Sequence, residues 1–156
     1  MSRKALKKDF FMGAAKLASK LSTCARRQVG AVIVKNNYVI STGYNGAPVG
    51  GYHCIDNAEG RECTRGSSKS GENLSLCRAT HAEANALVTA AKLGISTDGA
   101  DVYCTLEPCN ECYKLMKNAG IRTVYFIEPY PDEYPVRDNF NENGFSVKYL
   151  NVEVRN

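Results

Sequence analysis

Apolar positions along this chain fall into two periods, one near 3.6 residues and one near 2, and the two alternate. Between Ser2 and Leu21, the residues Leu6, Phe10, Met12, Ala14, Leu17, Ala18 and Leu21 recur at roughly helical spacing on a polar background, which predicts an amphipathic helix packed on a sheet. Val29 to Val34 is a short apolar run rich in β-branched residues, Asn36-Asn37 reads as a turn, and Tyr38 to Thr42 resumes the run, which together predict a β-hairpin. Gly43 to Gly51 holds four glycines and a proline and is expected to be a loop whose backbone can approach a ligand, with a plain turn cluster as the alternative. Tyr52 to Arg78 is polar and aperiodic, a long loop that needs something to order it. Alanines and leucines from Ala82 to Leu93 predict a buried helix stopped by Gly94. Val102 to Leu106 and Thr123 to Ile127 read as strands flanking a helix, Cys109 to Ala119, that Gly120 ends; this order implies a right-handed crossover between parallel strands. Tyr130 to Tyr134 reads as a loop, Pro135 to Asn143 as a short helix and Phe145 to Val154 as the last strand. The sum is an α/β fold, a three-layer α/β/α sandwich with a mixed sheet of about five strands.

Composition narrows the class. A chain of 156 residues is the size of one domain, so residues 1–156 are expected to form one unit with a real core. No apolar run approaches the roughly 20 residues that span a bilayer, and the Lys-rich start lacks a signal peptide's apolar core, so a cytoplasmic protein with no membrane partner is expected. The net charge of +4 is spread thinly outside Arg3 to Lys8, which reads as a solvated helix face or an anion contact and does not imply a nucleic-acid partner. Seven cysteines, an odd number, argue against a disulfide framework and for metal ligation plus a spare.

The chemistry concentrates in His81-Ala82-Glu83 and Pro108-Cys109-Asn110-Glu111-Cys112. Cys109 and Cys112 are three apart, so at the start of a helix opened by Pro108 both thiols face one way and can share a tetrahedral zinc with His81. Three protein ligands leave a position for water, whose pKa zinc lowers to about 7. Glu83, two residues past the histidine in a helix opened by Ala79 or Thr80, is placed to move that water's protons. Either half alone is weak, but H-x-E followed by P-C-x-x-C is the signature of zinc-dependent nucleobase deaminases. Cys24, Cys54, Cys63 and Cys77, with His53 as a substitute, could hold a second, structural zinc; alternatively Cys24 is a core thiol and the others are incidental.

Beyond this signature the chain resembles the deoxycytidylate (dCMP) deaminases of bacterial and phage type, within the cytidine deaminase superfamily. The resemblance is carried by Cys24 with Gln28 to Val34, Thr42 to Pro48, His53-Cys54, Arg78 to Ala86 and Leu106 to Cys112, and it runs from about Lys4 to Ile127. It implies a cytidine deaminase-like fold, catalytic zinc on His81, Cys109 and Cys112, and Glu83 as proton shuttle in converting dCMP to dUMP and ammonia. It also implies a sugar contact at Asn45, Ala82 and Tyr130 near the base or sugar, and a cation for the phosphate, for which Arg26 is the candidate with Arg27 or Arg137 in reserve. A homohexamer, activation by dCTP and inhibition by dTTP with Mg2+ follow from the same resemblance, with Gly43, Tyr44, Asn45 and Gly46 in the regulatory site. Cysteines at 24, 54, 63 and 77 match the bacterial branch, although Arg61-Glu62 precedes Cys63 where Gly-Cys is usual. The competing expectations are a deaminase of cytidine, guanine or tRNA adenosine, and a catalytically silent zinc-binding interaction module.

Overall fold

A computed structural model describes residues 2–56, 62–130, 138, 140–142 and 144–151. Helix α1 (Arg3–Ser19) starts where the Ser2 hydroxyl accepts the Ala5 N–H at 3.2 Å, a conventional N-cap. Strands β1 (Gly30–Lys35) and β2 (Tyr38–Tyr44) form the expected hairpin, and the turn works because Asn36 and Asn37 both adopt positive φ, 51° and 66°. Helix α2 (Ala82–Lys92), strand β3 (Asp101–Leu106), helix α3 (Asn110–Asn118), and strands β4 (Thr123–Glu128) and β5 (Ser146–Tyr149) follow.

The sheet order is β2-β1-β3-β4-β5, antiparallel from β2 to β3 and parallel from β3 to β5. Both faces are covered, which is why β1 is an unbroken apolar run rather than an alternating one. Val32, Val34, Tyr103 and Tyr125 meet Phe11, Met12 and Ala15 of α1 on one face. Ala31, Ile33, Val102, Cys104, Val124 and Phe126 meet Ala82 and Ala86 of α2 and Cys112, Tyr113 and Met116 of α3 on the other.

Two glycines let the helices approach. A Cβ on Gly30 would sit 2.1 Å from the Ala15 carbonyl oxygen, and one on Gly43 would sit 2.1 Å from that of Ala82. Gly43 and Tyr44 therefore belong to β2 rather than to a loop, and the missing side chain of Gly43 makes room for α2 rather than for a ligand.

Other expectations need correction. Helix α1 packs on the sheet, but Leu6, Phe10, Leu17 and Leu21 form an exposed stripe, because Phe11, Met12 and Ala15 define the second apolar face that the sheet covers. In the basic start, Lys7 donates to Asn37 Oδ1 at 3.0 Å on the surface and Lys8 lies 4.9 Å from the Tyr125 ring centre. The segment 52–78 has single 3-10 turns at Cys54–Asp56 and Leu74–Leu76. The expected helix over Pro135 to Asn143 falls largely outside the described residues, as does the end of the last strand. Among the described residues no helix is long and apolar enough to cross a membrane.

Candidate active site

Three donors converge where two helices begin. His81 is the N-cap of α2 and Cys109 the N-cap of α3, both in extended conformation, with Cys112 in the first turn of α3. Helix α2 starts after His81 rather than at Ala79 or Thr80, because Thr80 is held extended by paired bonds with Gly46: Gly46 N–H to Thr80 O at 3.2 Å and Thr80 N–H to Gly46 O at 2.8 Å. The Asn85 amide also ties α2 to the end of β2, donating to the Tyr44 carbonyl at 2.7 Å. Pro108 lies just before the Cys109 cap, so it fixes the approach to α3 rather than its first turn.

His81 Nδ1 lies 3.3 Å from Cys109 Sγ and 3.5 Å from Cys112 Sγ. A tetrahedron with metal–sulfur bonds of about 2.3 Å and metal–nitrogen bonds of about 2.0 Å has N···S edges of about 3.6 Å, so the three donors fit zinc. All three ligand atoms lie within 4.8 Å of one another. The free N–H groups of the first turns supply partial positive charge that favours thiolate there.

The protonation pattern follows from the packing. A hydrogen bond from Cys112 and another with His81 pull the Cys109 thiol down to about 4, against burial. Cys112, as the donor, is pushed up by that bond, with burial and the Glu83 charge adding. His81 is raised chiefly by its bond to Cys109. The Glu83 side chain is buried, and burial is the main cause that raises its carboxyl above the ordinary range. A buried carboxyl beside a metal-capable triad can hold a proton and give it up, as a general acid–base must.

These groups open into a cavity of about 300 Å³, within the range of small-ligand pockets. His81, Ala82, Glu83, Asn45, Arg26 and Tyr130 all line it, so the sequence-derived substrate residues come together with the triad. The Asn45 side chain does structural duty there. Its Oδ1 accepts from the Val29 N–H at 2.8 Å and the Ser22 hydroxyl at 2.6 Å, while Nδ2 donates to the Arg27 carbonyl at 2.7 Å. The Arg26 guanidinium donates to the backbone carbonyls of Gly66 (3.1 Å) and Ser68, holding the 62–76 segment against the cavity. Glu107 lies in the Leu106 to Cys112 stretch, which by itself gives it no role. It is 5% exposed, and its carboxylate accepts the Tyr130 N–H at 3.0 Å, which fixes the loop that carries Tyr130. A glutamate next to Pro108 gives no periodic signal; its place at the carboxyl end of β3, facing the loop after β4, depends on strand pairing.

A family model described as the cytidine and deoxycytidylate deaminase zinc-binding region matches residues 5–128. The chain belongs to this deaminase family. It is 37% identical over 145 residues to the ComE operon protein 2 of Bacillus subtilis, covering 93% of this chain and 71% of that one. Against the deoxycytidylate deaminase of Enterobacteria phage T4 the identity is 33% over 168 residues, covering 90% and 86%. The crystal structure of dCMP deaminase from cyanophage S-TIM5 in complex with dCMP and dUMP superposes with a TM-score of 0.76 at 33% identity, covering 96% of this chain and 99% of that one. The α/β/α sandwich around a mixed five-stranded sheet is thus the fold of the deaminase family.

The other cysteines of this deaminase chain divide into two kinds. Cys104 is the spare: fully buried on β3, its thiol 3.5 Å from the Tyr125 carbonyl and raised well above its ordinary value by burial. Cys24, Cys54, Cys63 and Cys77 line the active-site cavity. Burial, then the proximity of Cys63, Cys24 and Cys77, raises the Cys54 thiol, so the four are electrostatic neighbours. They and the exposed His53 do not gather as tightly as the triad, which among the described residues is the group of three donors within 4.8 Å.

Proposed function

We propose that this chain catalyses the hydrolytic deamination of dCMP, in which dCMP and water give dUMP and ammonia. The observation that carries the reading is the buried Glu83 carboxyl beside the His81, Cys109 and Cys112 donors, in a cavity of small-ligand size. The choice of dCMP is supported by the phage relatives named for that substrate and by the superposition on a dCMP- and dUMP-bound deaminase.

In this reading His81 Nδ1, Cys109 Sγ and Cys112 Sγ hold a zinc ion, which supplies the Lewis acidity that makes water acidic at neutral pH. Glu83 accepts a proton from the attacking water and delivers it to N3 of the cytosine ring, then passes a second proton to the amine leaving C4. Its burial raises the carboxyl and so favours the protonated form that donation needs. Ala82, fully buried and lining the cavity next to His81, would limit ring size at that end. Asn45 keeps one amide hydrogen beyond its bond to Arg27, and this is available for a sugar hydroxyl. Tyr130 closes the cavity over the base or sugar, held by Glu107. Arg26 would reach a phosphate only by giving up its bonds to the Gly66 and Ser68 carbonyls, which commit it to the 62–76 segment.

The reading extends to a structural zinc on Cys24, Cys54, Cys63 and Cys77, supported by their shared wall of the cavity. It also extends to a hexamer activated by dCTP and inhibited by dTTP with Mg2+, with the half-exposed Tyr44 ring beside Gly43, Asn45 and Gly46 as the surface an effector would meet. Deamination is measured on dCMP, CMP, deoxycytidine and cytidine through the ultraviolet change, with and without each effector. Selective turnover of dCMP, raised by dCTP and lowered by dTTP, is expected. Equal turnover of the nucleosides would remove the nucleotide assignment and leave a salvage deaminase.

A further inference from the structure

Among the described residues four arginines line the active-site cavity, Arg26, Arg27, Arg65 and Arg78, against two carboxylates, Glu83 and Glu107. Such an excess of fixed cations in a small-ligand cavity suits an anion, and Arg26, Arg65 and Arg78 differ in what already holds them. Arg26 donates through both terminal nitrogens to the carbonyls of Gly66 and Ser68. Arg65 is committed in the same way, to the carbonyls of Glu72 at 3.0 Å and Lys69 at 2.9 Å. Glu107 already accepts the Tyr130 N–H.

Arg78 differs. Its guanidinium carbon lies 3.5 Å from the centre of the Tyr52 ring, a cation–π contact that restrains the side chain. A Cβ on Gly51 would come within 3.1 Å of its Nη2, so the glycine leaves the room that this placement needs. Nη1 is buried and has no hydrogen-bond partner among the described residues, and buried cationic donors are rarely left so. Arg78 also lies three residues before His81, on the stretch that Thr80 pins to Gly46, so its backbone is held in the same frame as the triad.

We propose that Arg78 is the residue that reads the 5′-phosphate of the nucleotide substrate. The guanidinium is held against the Tyr52 ring and donates from Nη1 to a phosphate oxygen as substrate enters, so the unmet donor becomes a charge-assisted bond only when the phosphate is present. A nucleoside without that group leaves the donor unmet, and sites built in this way reject the analogue that lacks the partner. The proposal rests on the dCMP reading above and names the residue that enforces it.

The test compares the zinc-loaded chain with R78Q and R78K. The ratio of kcat/KM for dCMP to that for deoxycytidine is expected to fall about 10- to 100-fold in R78Q, mostly through KM, and to recover in part in R78K. An unchanged ratio in both variants overturns the proposal. Equal losses on the two substrates with less zinc per chain also overturn it, and assign Arg78 to the fold of the cysteine-rich segment. R78K keeps the charge and serves should R78Q fail to fold. If the unsubstituted chain deaminates neither substrate, the dCMP reading fails separately, and calorimetric titration with inorganic phosphate decides the site: binding lost in R78Q sustains it, and equal binding removes it.

Discussion

The Glu107 carboxylate accepts the backbone N–H of Tyr130 at 3.0 Å, bridging the end of β3 to the loop that follows β4. The Glu107 N–H itself donates to the Glu128 carbonyl at 2.7 Å, so main chain and side chain clamp the same loop. Removing a buried, charged acceptor costs about 1.5–3 kcal/mol. E107A is therefore expected to lower the urea midpoint by that equivalent and to raise KM for dCMP more than it lowers kcat, since Tyr130 borders the cavity without carrying the proton. Loss of kcat with KM unchanged would place Glu107 in the proton path instead.

Gly43 and Gly13 form a matched pair of opposite sign. A Cβ at Gly43 would stand 2.1 Å from the Ala82 carbonyl and 2.4 Å from the Ala86 N, both rigid helix backbone, whereas one at Gly13 meets nothing within 4 Å. G43A must push α2 outward, and overpacking of this kind costs about 1–3 kcal/mol. Because His81 caps α2 and Glu83 lies in its first turn, activity should fall further than stability alone explains. G13A, inside α1, should stabilise by up to about 1 kcal/mol and leave activity intact. Thermal melts and dCMP turnover on both variants check the contrast.

Zinc uptake should depend on pH with a defined sign. Without metal, Cys109 is held down at about 4 while Cys112 and His81 are pushed up, so at neutral pH Cys112 keeps the proton it shares with Cys109. Binding displaces that proton, and one proton released makes the apparent affinity rise about tenfold per pH unit. Below the raised His81 value a second proton must leave, and the slope steepens. Chelator competition at pH 6, 7 and 8 measures it; an affinity independent of pH would mean that the triad does not bind the ion.

Much of this was legible from residue types at short range. The hairpin was written in Asn36-Asn37 between β-branched runs, and the triad with Glu83 in two short motifs whose spacing is set by helix starts. What escaped depends on partners distant in the chain. Helix α1 carries two apolar stripes, and only the sheet decides that Phe11 and Met12 are buried while Phe10 and Leu17 are not. Gly43 reads as loop chemistry until α2 lies across it. Arg26 and Arg78 are equal as cations in sequence, and only the carbonyls of Gly66 and Ser68 separate them.

In the proposed reaction Glu83 carries the protons for deamination at a zinc held by His81, Cys109 and Cys112. The direct measurement is steady-state turnover of dCMP by E83Q, with bound zinc determined on the same sample. Glutamine keeps the shape and cannot relay a proton, so kcat should fall about 10²- to 10⁴-fold while zinc content stays at the unsubstituted level and KM changes little. Turnover within tenfold of the unsubstituted chain, at equal zinc, would contradict the account.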